Sequence, residues 1–287
     1  HNWIPPWARV ACGIGAGLGA IAWAARLRKK EFGWAPSALE GAGVVALYAS
    51  LWAAQQRYAL VGPGIAFPGM ALVTALAGWL ALKHGSLFSA LLGLSGGFAT
   101  PLLLAEGHER PVPLFGYVLL LDLGLLFVAR KRRWTALGLL ALACTQLLLG
   151  GWIFVRDGAA WPGLGFALAF AAVFALADVQ PSRAARGLAL ATQALGLLAP
   201  FAFALHYASA LDLGRHFGWT AAYLALMTVL ATVVARRPDA GWLAGAAAIA
   251  CAAVAGTWFV GLAPAERGAA DGELVLFGAG LVGLAHL

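Results

Sequence analysis

The chain has 287 residues, 62% hydrophobic and only 11% charged. Soluble domains carry about a quarter charged residues, so an ordinary water-soluble globular domain is excluded. The net charge of +7 invites a nucleic-acid reading, which the placement of the basic residues removes.

An apolar stretch of about 18–20 residues crosses a bilayer core. Such stretches run over Trp7–Leu27, Ala35–Gln55, Gly64–Leu82, Leu87–Ala105, Val112–Ala129, Trp134–Val155, Trp161–Ala177, Ala185–Tyr207, Gly218–Ala235 and Gly241–Leu262. An eleventh starts near Leu274 and reaches Leu287. In lipid the backbone must satisfy its own hydrogen bonds, so these are expected to be spanning helices. The expected fold is an all-α polytopic bundle of about eleven spans. Residues 1–287 read as one multi-pass region, a fragment of a longer membrane protein, with no soluble domain between the short loops.

Charge fixes the expected orientation. Arg26, Arg28, Lys29, Lys30, Lys83, Arg130, Lys131, Arg132, Arg133, Arg183, Arg186, Arg236 and Arg237 fall in the gaps after odd-numbered runs, against Glu31, Asp178 and Asp239. The opposite gaps hold Arg9, Arg57, Arg110, Arg156, Arg215 and Arg267 with a larger set of acids: Glu106, Glu109, Asp157, Asp212, Glu266, Asp271 and Glu273. The positive-inside rule makes the basic side cytoplasmic and places residue 1 outside. The lipid bilayer is the expected partner, with anionic head groups near the basic loops and other membrane proteins as further partners; nucleic acid is not.

Other features read as architecture. Trp7, Trp34, Trp52, Trp79, Trp134, Trp152, Trp161, Trp219 and Trp242 lie near run ends, as an aromatic belt does. Gly13, Gly15, Gly17 and Gly19 form overlapping small-xxx-small pairs for helix packing, and Gly41, Gly93, Gly97 and Gly245 allow further close approach. Cys12, Cys144 and Cys251 sit in separate runs and are expected to be buried and inert. No nucleotide-binding loop, metal-ligand spacing or cofactor motif is seen; no cofactor, metal or catalytic residue is assigned, and the reading leans away from an enzyme.

Asp122 is the one acid deep in a run, about 12 Å above the basic interface at 1.5 Å per residue. An ionised, unpartnered carboxyl group there costs about 2.5–3.5 kcal/mol or more. It must therefore be protonated, partnered or facing water. Ser95 and Gly96 fall at the same depth on the preceding run. Pro101 lacks an N–H and frees the carbonyl near Gly97, so a kink or break is expected around Thr100. A polar intramembrane site of Asp122, Ser95, Thr100, Gly96, Gly97 and Pro101 follows, with a tightly packed Pro kink as the plainer alternative. Gly93-Leu94-Ser95-Gly96-Gly97 also matches the GxSxG of hydrolases and the GxSG of rhomboid intramembrane proteases. The hydrolase elbow needs a strand–turn–helix, and the sixth run offers no His. Glu40, near the basic end of the second run, is expected to reach the interface and Lys30. His84, His108 and His216 are placed in loops.

Leu91–Leu104, with its Gly96-Gly97-Phe98-Ala99-Thr100-Pro101, Pro113–Leu126, with its Leu114-Phe115-Gly116-Tyr117, and the basic turn Arg130–Arg133 are similar to a known family. Together with Ala71–Leu76 and Pro5–Leu51 they resemble a bacterial family of large predicted membrane proteins, domain of unknown function 2339 (DUF2339). The resemblance covers roughly residues 1–155; beyond that only hydropathy agrees. It implies a multi-pass protein of the bacterial inner membrane and cell envelope, and a hydrogen-bonding rather than proton-relay role at Asp122. It brings no activity. The functional expectations are a transport or flippase-like protein with a polar site near Asp122, or a non-catalytic membrane scaffold binding other envelope proteins through Gly/Ala helix faces.

Overall fold

The structure, a computed structural model, describes residues 4–28, 34–103, 111–155, 160–177, 185–209, 217–237 and 239–262, with isolated positions beyond. Among the described residues ten α-helices follow in order: α1 Pro6–Arg28, α2 Ala35–Trp52, α3 Pro63–His84, α4 Leu87–Leu103, α5 Pro111–Arg132, α6 Thr135–Val155, α7 Ala160–Leu176, α8 Arg186–Ser209, α9 Phe217–Ala235 and α10 Trp242–Gly261. They match the first ten apolar runs to within a few residues. Eight are long and apolar enough to span a membrane; α4 and α7 are shorter apolar helices. The expected count of about eleven is therefore not met among the described residues, and of the eleventh run only isolated positions are described.

Helix boundaries follow local chemistry. Pro63 opens α3 and Pro111 opens α5, where a missing N–H costs nothing. Gly85 ends α3 in the left-handed conformation (φ 67°), its N–H donating to the Ala81 carbonyl at 2.9 Å. Ser86 then caps α4, its Oγ accepting from the Ser89 N–H at 3.3 Å. The α3–α4 connection is thus a tight hairpin. Past Trp52, α2 widens into a π-helical turn over Ala53–Arg57.

The chain divides into two compact units, His1–Leu137 and Gly138–Leu287, within what read as one continuous membrane region. In the first, α1 packs along α2, α2 meets α3 and α4, and α5 lies against α3 and α4. In the second, α7 packs on α8 and α9, and α10 on α8 and α9, around buried Phe170, Phe174, Tyr207 and Trp258. Phe154 brings α6 onto α8 through Phe203 and His206.

Large apolar side chains such as Ile65, Leu72, Leu120, Leu147 and Ile249 point outward. That surface suits lipid rather than water. Trp7, Trp34, Trp79, Trp161, Trp219 and Trp242 are exposed near helix ends, where an interfacial belt needs them.

The glycines of α1 divide into two faces. A Cβ on Gly17 would meet the Gly43 carbonyl oxygen at 2.9 Å, and one on Gly43 would meet the Gly17 carbonyl at 2.6 Å. Gly13 faces Ser50 on the same seam. Gly15 and Gly19 have nothing within 4 Å of a Cβ. Cys12, expected to be buried, is exposed on this open side, because it precedes Gly15 by one helical turn.

Gly43→Leu is expected to cost about 1–3 kcal/mol of unfolding free energy by overpacking the α1–α2 seam. Gly15→Leu should stay within about 0.5 kcal/mol of the parent. Reversible unfolding in mixed detergent micelles measures both, and equal effects would contradict the two-faced reading of α1.

Candidate functional site

Two polar groupings and one cavity occupy the first unit. The deeper grouping is a seam of hydroxyl groups around Pro101. α4 runs unbroken through this proline, contrary to the expected break. The carbonyl that Pro101 leaves without its helical donor is that of Gly97. Tyr117 of α5 supplies the donor, its hydroxyl giving a 3.1 Å hydrogen bond to the Gly97 oxygen. Thr100 turns its Oγ1 back onto the Gly96 carbonyl at 2.7 Å. Tyr48 of α2 and Thr74 of α3 join at 2.7 Å. Thr74 spends its single proton on the Met70 carbonyl at 3.0 Å, so Tyr48 donates to Thr74.

Gly96 and Gly97 make room for this seam. A Cβ on Gly96 would collide with the Tyr48 ring. One on Gly97 would meet Leu121 at 2.8 Å and the Thr74 methyl at 3.1 Å. Of the plainer expectation, a tightly packed Pro kink, the close packing at the two glycines is present.

The six expected site residues separate. Gly96, Gly97, Thr100 and Pro101 belong to the seam. Ser95 is exposed on another face of α4, since five residues at 100° each put it about 140° from Thr100. It sits in a continuous helix, not at a nucleophile elbow. Asp122 is fully buried on the α5 face that carries Phe115, Val118 and Leu125. It has an interaction within the protein and is not free.

The second grouping was missed in the sequence. Glu40, at 0% exposure, accepts from Arg28 Nη2 at 2.8 Å, His84 Nδ1 at 2.7 Å and Ser89 Oγ at 2.6 Å. An ionised carboxylate only accepts, so Nδ1 is the protonated nitrogen of His84. Arg28 also reaches Ser37 at 3.3 Å. The ends of α1 and α3 and the starts of α2 and α4 thus meet on one carboxylate. His84 is the last residue of α3 rather than a loop residue; Lys30, the expected partner of Glu40, lies outside the described residues. The missed signal was depth. In an alternating bundle, the ends of odd helices and the starts of even ones share one membrane face.

Neither grouping presents a nucleophile beside a free base. Glu40 is surrounded by donors, and the seam hydroxyls donate to carbonyls or, for Tyr48, to the Thr74 hydroxyl. Their chemistry is the joining of helices. Between α3 and α5, with Ala90 and Gly93 of α4 beneath, runs a cavity of about 320 Å³. Its polar lining is Thr74 and Tyr117 alone; neither Asp122, Ser95 nor Thr100 lines it.

Fold and site define a polytopic α-helical membrane protein whose buried polar groups lock helices together. The chain belongs to the family described as predicted membrane protein (DUF2339), whose model matches residues 1–284. The match runs far past residue 155, where the sequence resemblance faded. No curated protein and no solved structure matches the chain.

Tyr117→Phe is expected to cost about 1–2 kcal/mol by leaving the Gly97 carbonyl unsatisfied. In a Pro101→Ala background the helix regains an N–H for that carbonyl, and the same change should cost less than half as much. A double-mutant cycle in unfolding free energy measures the coupling; additive effects would contradict the assignment.

Proposed function

We propose that this integral membrane protein is a non-catalytic scaffold of the bacterial inner membrane, with residue 1 outside and the basic helix ends in the cytoplasm. Its helices meet other envelope proteins through small-residue faces. The observation that carries this reading is α1. Only 11% of its span is buried, against 33–44% in the other seven long spans. Its open side presents Cys12, Gly15, Ala16 and Gly19 at helical spacing, with space for a closely approaching helix at both glycines. The closed side shows what such glycines do when occupied, at the Gly17–Gly43 contact.

The transport or flippase-like reading keeps one support, the full burial of Asp122 within an apolar helix. It predicts that Asp122→Asn and Asp122→Ala both stop substrate movement in liposomes. The scaffold reading predicts that neither variant alters a transport signal.

Cross-linking from Cys12 in native membranes tests the scaffold directly. A bismaleimide should join Cys12 to a partner helix in the intact protein. Gly15→Ile with Gly19→Ile should abolish that adduct, while Gly116→Ile on α5 leaves it unchanged. No adduct, or one indifferent to the α1 changes, would sink the reading.

A further inference from the structure

The cavity between α3 and α5 is a groove with a charged mouth. Its walls are two helical stripes, Thr74–Gly78–Leu82 on α3 and Tyr117–Leu121–Val128 on α5. α3 and α5 run toward the same basic end, and α4 returns between them. Small residues hollow the groove: Gly93 of α4 lies on its floor, Gly78 in one wall and Gly124 in the other.

The lining ends at Ala71 on α3 and Tyr117 on α5, where Phe67 packs edge-on against Tyr117 with ring centroids 4.7 Å apart. From Tyr117 to Val128 the wall extends about 16 Å at 1.5 Å per residue. That is about one leaflet of a ~30 Å hydrocarbon core. Leu120, Trp79 and Phe127 along the groove are exposed, so it opens sideways to lipid.

At the mouth two lining rings carry cations. Lys83 Nζ stands 4.5 Å from the Trp79 ring centroid, and Lys131 Nζ stands 5.8 Å from that of Phe127. Arg132 adds a guanidinium against Gly85, with Nη1 3.3 Å from where a Cβ would lie. An apolar slot one leaflet deep therefore ends between positive charges at head-group level. Zwitterionic lipids would fill the slot, but their cationic head group cancels the phosphate charge that the lysines would otherwise meet.

We infer that this groove binds an anionic phospholipid, one acyl chain lying along α3 and α5 and the phosphate between Lys83 and Lys131. This goes beyond the scaffold reading and does not depend on it. The lining stops at Ala71 and Tyr117, about one leaflet from the basic end, so the site holds a lipid rather than passing it across.

Native mass spectrometry of the whole protein, in micelles with equimolar phosphatidylglycerol and phosphatidylcholine, tests the inference. The parent protein should retain phosphatidylglycerol at least about tenfold over phosphatidylcholine, given about a fivefold gain per lysine. Gly124→Leu and, separately, Gly78→Leu should fill the groove and remove that lipid. Both sites have room: a Cβ on Gly124 meets nothing within 4 Å, and one on Gly78 meets only Val128 at 4.0 Å. Gly116→Leu, outside the groove, should retain the lipid. Lys83→Gln with Lys131→Gln should erase the preference while leaving the slot open. Equal retention of the two lipids by the parent protein would overturn the inference. So would phosphatidylglycerol held undiminished by both filled variants, or loss of a bound protein subunit in place of lipid when the groove is filled.

Discussion

The first unit depends on the carboxylate of Glu40. Membrane helices gain little from hydrophobic association with one another, because lipid tails are as apolar as their side chains. Specific contacts must therefore set how the helix ends are held. Glu40 does this by drawing Arg28, His84 and Ser89 onto two oxygens, so that four helix ends share one point. Burying that charge is tolerable only because every neighbour donates to it. The α3–α4 hairpin follows, since Gly85 and Ser86 must bring His84 and Ser89 to the same side of Glu40.

Glycine and hydroxyl groups govern the packing away from that end. Gly17 against Gly43 brings α1 and α2 to backbone contact. Pro101 removes one helical hydrogen bond, and Tyr117 restores its acceptor from the neighbouring helix. A residue that would weaken an isolated helix becomes a link between two. Where small side chains have no opposite number, at Gly78 and Gly124, the packing leaves a slot instead. Gly15 and Gly19 leave an open strip on α1. The same residue type thus makes both the tight contacts and the available surfaces.

Much of this was legible in the sequence. Apolar length gave ten helices to within a few residues, and the basic residues marked which helix ends belong together. Pro101 pointed to the freed Gly97 carbonyl. It did not reveal Tyr117 as the donor, because a tyrosine twenty residues away becomes a neighbour only once α4 and α5 pair. Ser95 and Asp122 were grouped by depth alone, whereas helical angle puts Ser95 on an exposed face of α4. The Glu40 cluster stayed hidden although its members share one membrane face. Its members lie up to 61 positions apart, from Arg28 to Ser89, and His84 read as a loop residue. The glycines of α1 could be recognised as packing residues, but not divided into an occupied and an open face until α2 was in place.

The claim that Glu40 holds the helix ends together is tested most directly by unfolding free energies in mixed micelles. Glu40→Ala should cost about 3–5 kcal/mol, because it strands the Arg28 charge and removes the acceptor of His84 and Ser89. Replacing Glu40, Arg28 and His84 together by leucine, with Ser89→Ala, should recover most of that loss, since no stranded partner remains. A cost below about 1 kcal/mol for Glu40→Ala would place the cluster among ordinary surface ion pairs and contradict the account.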